Sequence, residues 1–258
     1  MPFIYKIARV IGNSLPHRDS KKIKSIEYVL KKGYCPEDVE QVWFLNKLRD
    51  CSESEELRTL LKDFNQKTVE LPFSRKKYNK AKSREEKIKA FIGINKARNF
   101  ALSYCKPYDW LFVLDDTNFF NKKLWKITTQ DIERHTEELK PKYFAVPIIR
   151  FKPPLKDYNS IPLQEPILAF NKKAPYWFDD TIEFGRGDKV ELLLHLGCVT
   201  VDNGEGSVTM PTHENKICPR AGKILHVSFS PEEEESLLEN RERNRRLGLD
   251  AVINELDQ

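Results

Sequence analysis

The sequence predicts an α/β domain with a mostly parallel central sheet, helices on both faces and a charged C-terminal helix. Two observations predict the sheet. Through roughly the first 115 residues, short apolar runs rich in β-branched residues alternate with segments whose apolar residues recur every three or four positions. The most apolar of these runs, Trp110–Leu114, stops abruptly at two aspartates, as a buried strand does at its carboxyl end. A third observation predicts the closing helix: residues 231–255 are dense in charge but keep Leu237, Leu238, Leu247, Val252 and Ile253 for packing.

The elements follow in order. Ile4–Ile11 reads as a first buried strand, ended by the turn-forming Gly12-Asn13-Ser14-Leu15-Pro16. Asp19 or Ser20 can cap a helix to about Lys32, with Ile23, Ile26, Val29 and Leu30 on one face. Gln41–Leu45 is a second strand and Ser54–Asn65 a second helix striped by Leu57, Leu60, Leu61 and Phe64; Lys67–Pro72 is a short third strand. Ser74–Glu86 is basic and poor in apolar residues, which predicts an exposed loop. Glu86–Ser103 reads as one long helix. Beyond the aspartates the pattern is less regular: Tyr143–Ile149 is a strand, Pro153-Pro154 a break, Lys189–Leu196 a short helix closed by Gly197, and Lys223–Phe229 a strand. Pro231 suits the first turn of the last helix. Alternating strands and helices build parallel sheets whose ligands sit beyond the strands' carboxyl ends.

Composition narrows the functional classes. With 258 residues the chain is long enough for one large α/β domain, and 40% hydrophobic residues supply its core. No apolar run approaches the ~18–20 residues of a membrane span. The amino-terminal run is too short for a signal peptide and reads as a strand. Five cysteines (Cys35, Cys51, Cys105, Cys198, Cys218) form no CxxC pair, which argues against zinc and a disulfide framework and for a reducing, cytoplasmic setting. A net charge of +5 suits an anionic small ligand as well as nucleic acid and does not separate them.

Chemistry concentrates at Leu114-Asp115-Asp116-Thr117-Asn118. Two carboxylates and an amide oxygen at a strand end suit Mg²⁺ or Mn²⁺ bound jointly with a diphosphate; the alternative is a turn with capping roles only. Upstream, Arg98 in Asn95-Lys96-Ala97-Arg98-Asn99-Phe100-Ala101-Leu102 can serve a diphosphate or a nucleotide edge, or be an exposed helix arginine. Trp177 and Phe178 can wall an acceptor sugar or pack in the core. Asp188 is either a carboxylate brought to a cleft edge by Gly185-Arg186-Gly187 or the cap of the helix that follows.

The N-x-x-R-N-x-A-L helix followed by W-L-F-V-L-D-D-x-N closely resembles the segment of GT-A-fold glycosyltransferases that carries their aspartate motif. Family-2-like enzymes of this Rossmann-like fold are also similar to Phe184–Gly197, with its glycine, acid, short helix and glycine. The start Gly12-Asn13-Ser14-Leu15-Pro16-His17-Arg18 resembles a subset with a G-N-x-L-P-x-R motif. The resemblance covers roughly residues 4–200. It implies a catalytic domain over 1–230, with a nucleotide-sugar-binding half at 1–120 and an acceptor-binding half at 121–230, and a helix packed on it at 231–258. It further implies a hexosyl- or pentosyltransferase that takes a UDP- or GDP-linked donor, uses Mn²⁺ or Mg²⁺, and transfers to a hydroxyl of a glycan or other acceptor with inversion. The implied residues are Gly12, Asn13, Asn46, Arg98, Asp115 and Asp116 for the donor, Asp116, Asn118 and His226 for the metal, and Asp188 as catalytic base. Gly187 stands where that family has the first acid of its pair. For His226, a packed strand histidine is the alternative to a ligand. Retention on the same fold is a subordinate route.

Two other functions compete. A nucleotidyltransferase or other Mg-dependent phosphoryl-transfer enzyme would use the same aspartates, but it brings a glycine-rich loop after the first strand, and Gly12–Pro16 is poor in glycine. A nucleic-acid-binding module would rest on Arg75–Lys82, which no nucleic-acid motif accompanies, so no nucleic-acid partner is expected.

Overall fold

The computed structural model describes residues 3–13, 21–154, 157–182, 187–202, 204, 206–229 and 238–258. In chain order the elements are β1 (Tyr5–Ile11), α1 (Lys21–Lys32), β2 (Glu40–Asn46), α2 (Ser52–Asp63), β3 (Lys67–Leu71), α3 (Arg75–Lys80), α4 (Arg84–Phe91), α5 (Ile94–Tyr104), β4 (Trp110–Asp115), β5 (Asn118–Phe119), α6 (Lys122–Leu139), β6 (Tyr143–Phe151), β7 (Leu163–Asn171), α7 (Gly187–His195), β8 (Cys198–Asp202), β9 (Ser207–Pro211), β10 (Ile224–Val227) and α8 (Leu238–Asp257). Eight strands form one sheet in the order β3-β2-β1-β4-β7-β6-β10-β5, and β8 and β9 form a separate hairpin. The α/β architecture expected from the sequence is the one observed. Strands from both halves of the chain share the large sheet.

Pairing explains the composition of the strands. β1 lies between β2 and β4, parallel to both, and the helices packed on each side of the sheet bury its two faces, so it is largely apolar. Lys6 near its start pairs with Glu40, and its buried charge is Arg9, 3% exposed. Its guanidinium lies 4.8 Å over the Trp43 ring, donates to Gln41 Oε1 at 2.9 Å and donates to the Asn118 carbonyl. Burial lowers its pKa to about 10. One face of the sheet packs Ile23, Ile26 and Val29 of α1, Leu57 and Leu61 of α2, and Leu124, Trp125 and Ile132 of α6. The other packs Ala97, Ala101 and Leu102 of α5 with Leu192 and Leu193 of α7. Helices therefore cover both faces.

Because β7 runs antiparallel to both β4 and β6, strands β1, β2, β3, β4, β6 and β10 all point the same way. Their carboxyl ends form one edge, and Asp115, Asn46 and His226 sit along it.

Several elements differ from the sequence expectation. The loop expected at Ser74–Glu86 is largely helical: Ser74 caps α3 through Lys77 N, and a Ser83–Glu86 capping box starts α4. Tyr78, 1% exposed, anchors α3. The single helix expected over Glu86–Ser103 is two, because Gly93 takes the left-handed conformation at φ +50 and turns the chain between α4 and α5. β7, β8 and β9 carried no expectation; β7 is held by its two antiparallel neighbours. The expected strand Lys223–Phe229 is limited to Ile224–Val227. The cap at Asp19 or Ser20 and the start at Pro231 lie outside the described residues.

α8 closes a smaller core of its own. Leu249, Val252, Ile253 and Leu256 pack on Tyr78, Ile88, Phe91 and Ile92. Tyr78 Oη donates to Asp257 Oδ1 at 2.9 Å, and Arg84–Asp250, Lys87–Asp257 and Arg49–Glu255 ion pairs ring the contact. All five cysteines are free thiols, three of them buried. Among the described residues no helix is long and apolar enough to cross a membrane.

Candidate active site

The sequence motif N-x-x-R-N acquires a physical meaning on α5. Residues four apart share a helix face, so Asn95 and Asn99 both reach the segment before α7. Asn95 Nδ2 donates to Asp179 O at 2.7 Å; Asn99 donates to Phe178 O at 2.7 Å and accepts from Phe178 N at 3.0 Å. Between them Arg98, 6% exposed, donates from Nη1 to Asn95 Oδ1 and from Nη2 to Asp115 Oδ1, both at 2.9 Å. Its guanidinium lies 5.1 Å over the Phe178 ring. Arg98 is thus no exposed arginine. Phe178, 6% exposed, is a core residue, whereas Trp177 is 39% exposed.

Asp115 ends β4 on the α5–α7 side of the sheet, with Lys189 Nζ of α7 at 4.0 Å from its second oxygen. Burial works to raise the Asp115 pKa. The charges of Arg98 and Lys189, the Arg98 hydrogen bond and nearby His226 outweigh it, and the carboxyl is held down at about 2. Asp116 has Lys22 Nζ of α1 at 3.8 Å, and the same ammonium donates to the Gly12 carbonyl. Each aspartate therefore faces its own lysine. Sequence reasoning missed both lysines as site members: Lys22 carries no signal beyond its helix start, and Lys189 was legible only as part of the segment around Asp188.

Asn118 and His226 face one another across adjacent strands β5 and β10. His226 Nδ1 is 2.9 Å from Asn118 Oδ1 and 3.1 Å from Thr117 Oγ1. Nδ1 is thus the ring nitrogen that both neighbours engage. Asn118 is fully buried and its Nδ2 has no hydrogen-bond partner. Among the described residues no three His, Cys, Asp or Glu side chains converge as a metal cluster.

The other expected donor residues lie further along the same edge. Asn13 Nδ2 donates to Lys47 O at 2.6 Å and Phe91 O at 3.0 Å, and its Oδ1 accepts from Arg49 N at 2.8 Å. Asn46, 1% exposed, donates to Ile92 O. Asp188 is the second residue of α7, beside Lys189; its side chain, and the loop 183–186 before it, lie outside the described residues, as do residues 14–20 of the first loop. Arg98, Asp115 and Lys189 also line one recess with Val113, Pro166 and Leu193.

No protein-family model matches the chain. No curated protein matches it. Solved structures do. Residues 1–349 of S. aureus TarS in complex with UDP align at 12% identity and a TM-score of 0.45, over 97% of this chain and 65% of that one. GalNAc-T7 with UDP, GalNAc and Mn²⁺ aligns at 12% identity and 0.47, over 95% and 48%. The mannosyltransferase PcManGT from Pyrobaculum calidifontis in complex with GDP-Man and Mn²⁺ aligns at 11% and 0.44, over 98% and 69%. The chain thus spans about two thirds or less of the first two, and what those proteins bind is a property of theirs.

Proposed function

We propose that this protein is a divalent-metal-dependent glycosyltransferase of the GT-A kind, moving a hexosyl or pentosyl group from a UDP- or GDP-linked donor to an acceptor hydroxyl with inversion. The observation that carries the reading is the pair Asp115–Asp116 at the carboxyl end of β4, ringed by Arg98, Lys189 and Lys22. Ligands of a parallel sheet gather at this edge, and a diphosphate bound with a divalent cation is suited by carboxylates for the cation and basic side chains for the phosphates.

The donor set fits Mn²⁺ or Mg²⁺, which such enzymes hold with one or two carboxylates plus substrate phosphates. Asp116 and His226 would hold the ion. Asn118 would contribute through His226, whose Nδ1 lies 2.9 Å from its amide oxygen and whose ring it orients. When bound, the ion neutralises charge that develops as the nucleoside diphosphate leaves. Arg98 keeps Asp115 ionised and oriented. Lys189 and Lys22 add positive charge toward the phosphates. Asp188, at the start of α7, would take the proton of the attacking hydroxyl. Gly12, Asn13 and Asn46 would shape the wall that receives the nucleotide.

A panel of UDP- and GDP-sugars tests the reading, each scored for thermal stabilisation and for hydrolysis with and without Mn²⁺. Metal-dependent stabilisation and turnover with at least one donor is the expected result. Indifference to every nucleotide sugar, with cleavage of a nucleoside triphosphate, would replace the reading with phosphoryl transfer.

A further inference from the structure

We infer that Lys47 is a positioning residue for the transfer proposed above, on which this inference rests: with Asn13 and Asn46 it fixes the elbow between α4 and α5 that aims Arg98 at Asp115. The last turn of a helix leaves carbonyls without intrahelical partners. At the end of α4 three such carbonyls are met by side chains from the carboxyl ends of β1 and β2. Lys89 O accepts from Lys47 Nζ at 2.7 Å, Phe91 O from Asn13 Nδ2 at 3.0 Å, and Ile92 O from Asn46 Nδ2.

The elbow turns at a position that favours glycine. Gly93 has φ +50, and a Cβ there would lie 2.6 Å from Lys47 Nζ and 3.1 Å from Lys89 O. Lys47 is a non-glycine residue at φ +54, a costly conformation kept only where its surroundings enforce it. Asn13 supplies that enforcement from within, bonding Lys47 O and Arg49 N. α8 supplies it from outside, through the Arg49–Glu255 pair and the packing of Leu249, Val252 and Ile253 against Phe91 and Ile92. Just past the elbow, α5 carries Asn95 and then Arg98 to the site. Shifting the elbow shifts the Arg98 guanidinium, and a misplacement of about 1 Å can cost a hundredfold in rate.

The test uses Lys47→Met, which keeps the stem and removes the donor, and Lys47→Arg, which restores one, both in the full chain. Two quantities are read: hydrogen exchange of the Arg98 side-chain N–H groups in ¹⁵N-arginine-labelled protein, and calorimetric affinity for UDP and GDP with Mn²⁺. In Lys47→Met, Arg98 should lose its protection and nucleotide affinity should fall about tenfold, the scale of a lost charged hydrogen bond. Lys47→Arg should recover both. A merely structural role would lower the melting temperature yet leave Arg98 protected and affinity unchanged, which overturns the inference. Should Lys47→Met fail to fold, Asn13→Ser removes the bonds to Phe91 and Lys47 and is read by the Arg98 exchange alone, since Asn13 also belongs to the proposed nucleotide wall; an Arg98 that keeps its protection overturns the inference. If the unaltered protein binds neither nucleotide, the proposed function falls, while the Arg98 exchange still decides the elbow.

Discussion

Replacing Arg98 with Met keeps the buried stem and removes the charge that Asp115 faces. Holding the Asp115 carboxyl at about 2 instead of its ordinary 3.8 corresponds to about 2.5 kcal/mol in favour of the ionised form. The Asp115 side chain is 38% exposed and Lys189 and His226 share in the lowering, so the part that belongs to Arg98 is about 1 kcal/mol. Losing the bond to Asn95 and the cation over Phe178 adds about 1 kcal/mol more. Arg98→Met should therefore lose about 2 kcal/mol at pH 7, a fall in melting temperature of about 4–8 °C for a chain of this size. The sign with pH is fixed. A carboxyl whose pKa is lowered by folding contributes its full stabilisation above the ordinary carboxylate value near 4 and loses it as pH falls through about 2. Urea unfolding of both proteins at pH 7 and pH 3 tests this. By pH 3 the ion-pair part of the difference should have shrunk by about half, while the packing part persists. An equal difference at the two pH values, or none at pH 7, would refute the argument.

Asp188→Asn should lower turnover about a hundredfold or more with donor binding retained, because it keeps shape and capping capacity and removes basicity; near-normal turnover would leave Asp188 a helix cap. Calorimetry should find UDP or GDP bound weakly in excess chelator and more tightly with Mn²⁺, and full transferase activity in chelator would remove the metal from the scheme. His226→Ala should weaken the Mn²⁺ dependence of nucleotide binding, and equal affinity would make His226 a packed strand residue. Gly222→Ala, far from the aspartates, should destabilise by about 2 kcal/mol or more, since φ is +48 and the added Cβ would lie 2.1 Å from Thr128 Oγ1; an unchanged melting curve would count against that contact.

Much of the framework was legible because it is written in local chemistry. Trp110–Leu114 is apolar because β4 is covered on both faces and flanked by β1 and β7, and period and composition report such burial directly. That the aspartates end this strand at the sheet's carboxyl edge was legible from the abrupt stop of the apolar run. The split of the expected long helix at Gly93 was not legible in the same way. Ile88, Phe91, Ile92, Ala97 and Leu102 keep helical spacing across the break, and the break depends on three donors that arrive from β1, β2 and the loop after it. The Ser74–Glu86 segment looked like a solvated loop because its lysines and arginines dominate its composition, but Tyr78 anchors α3 against α8, from which it is separated by more than 150 residues in sequence.

The site divides along the same line. The residues of one strand end, Asp115 to Asn118, and the spacing of Asn95, Arg98 and Asn99 were determined by sequence alone, because each follows from neighbours within one or two turns. Which groups face them was decided only by tertiary structure. Lys22 reaches Asp116, Lys189 approaches Asp115 and His226 meets Asn118 across separations of 74 to 108 residues. The pairing of distant charges depends on strand order and helix placement, and those are properties of the packed sheet rather than of any segment in it.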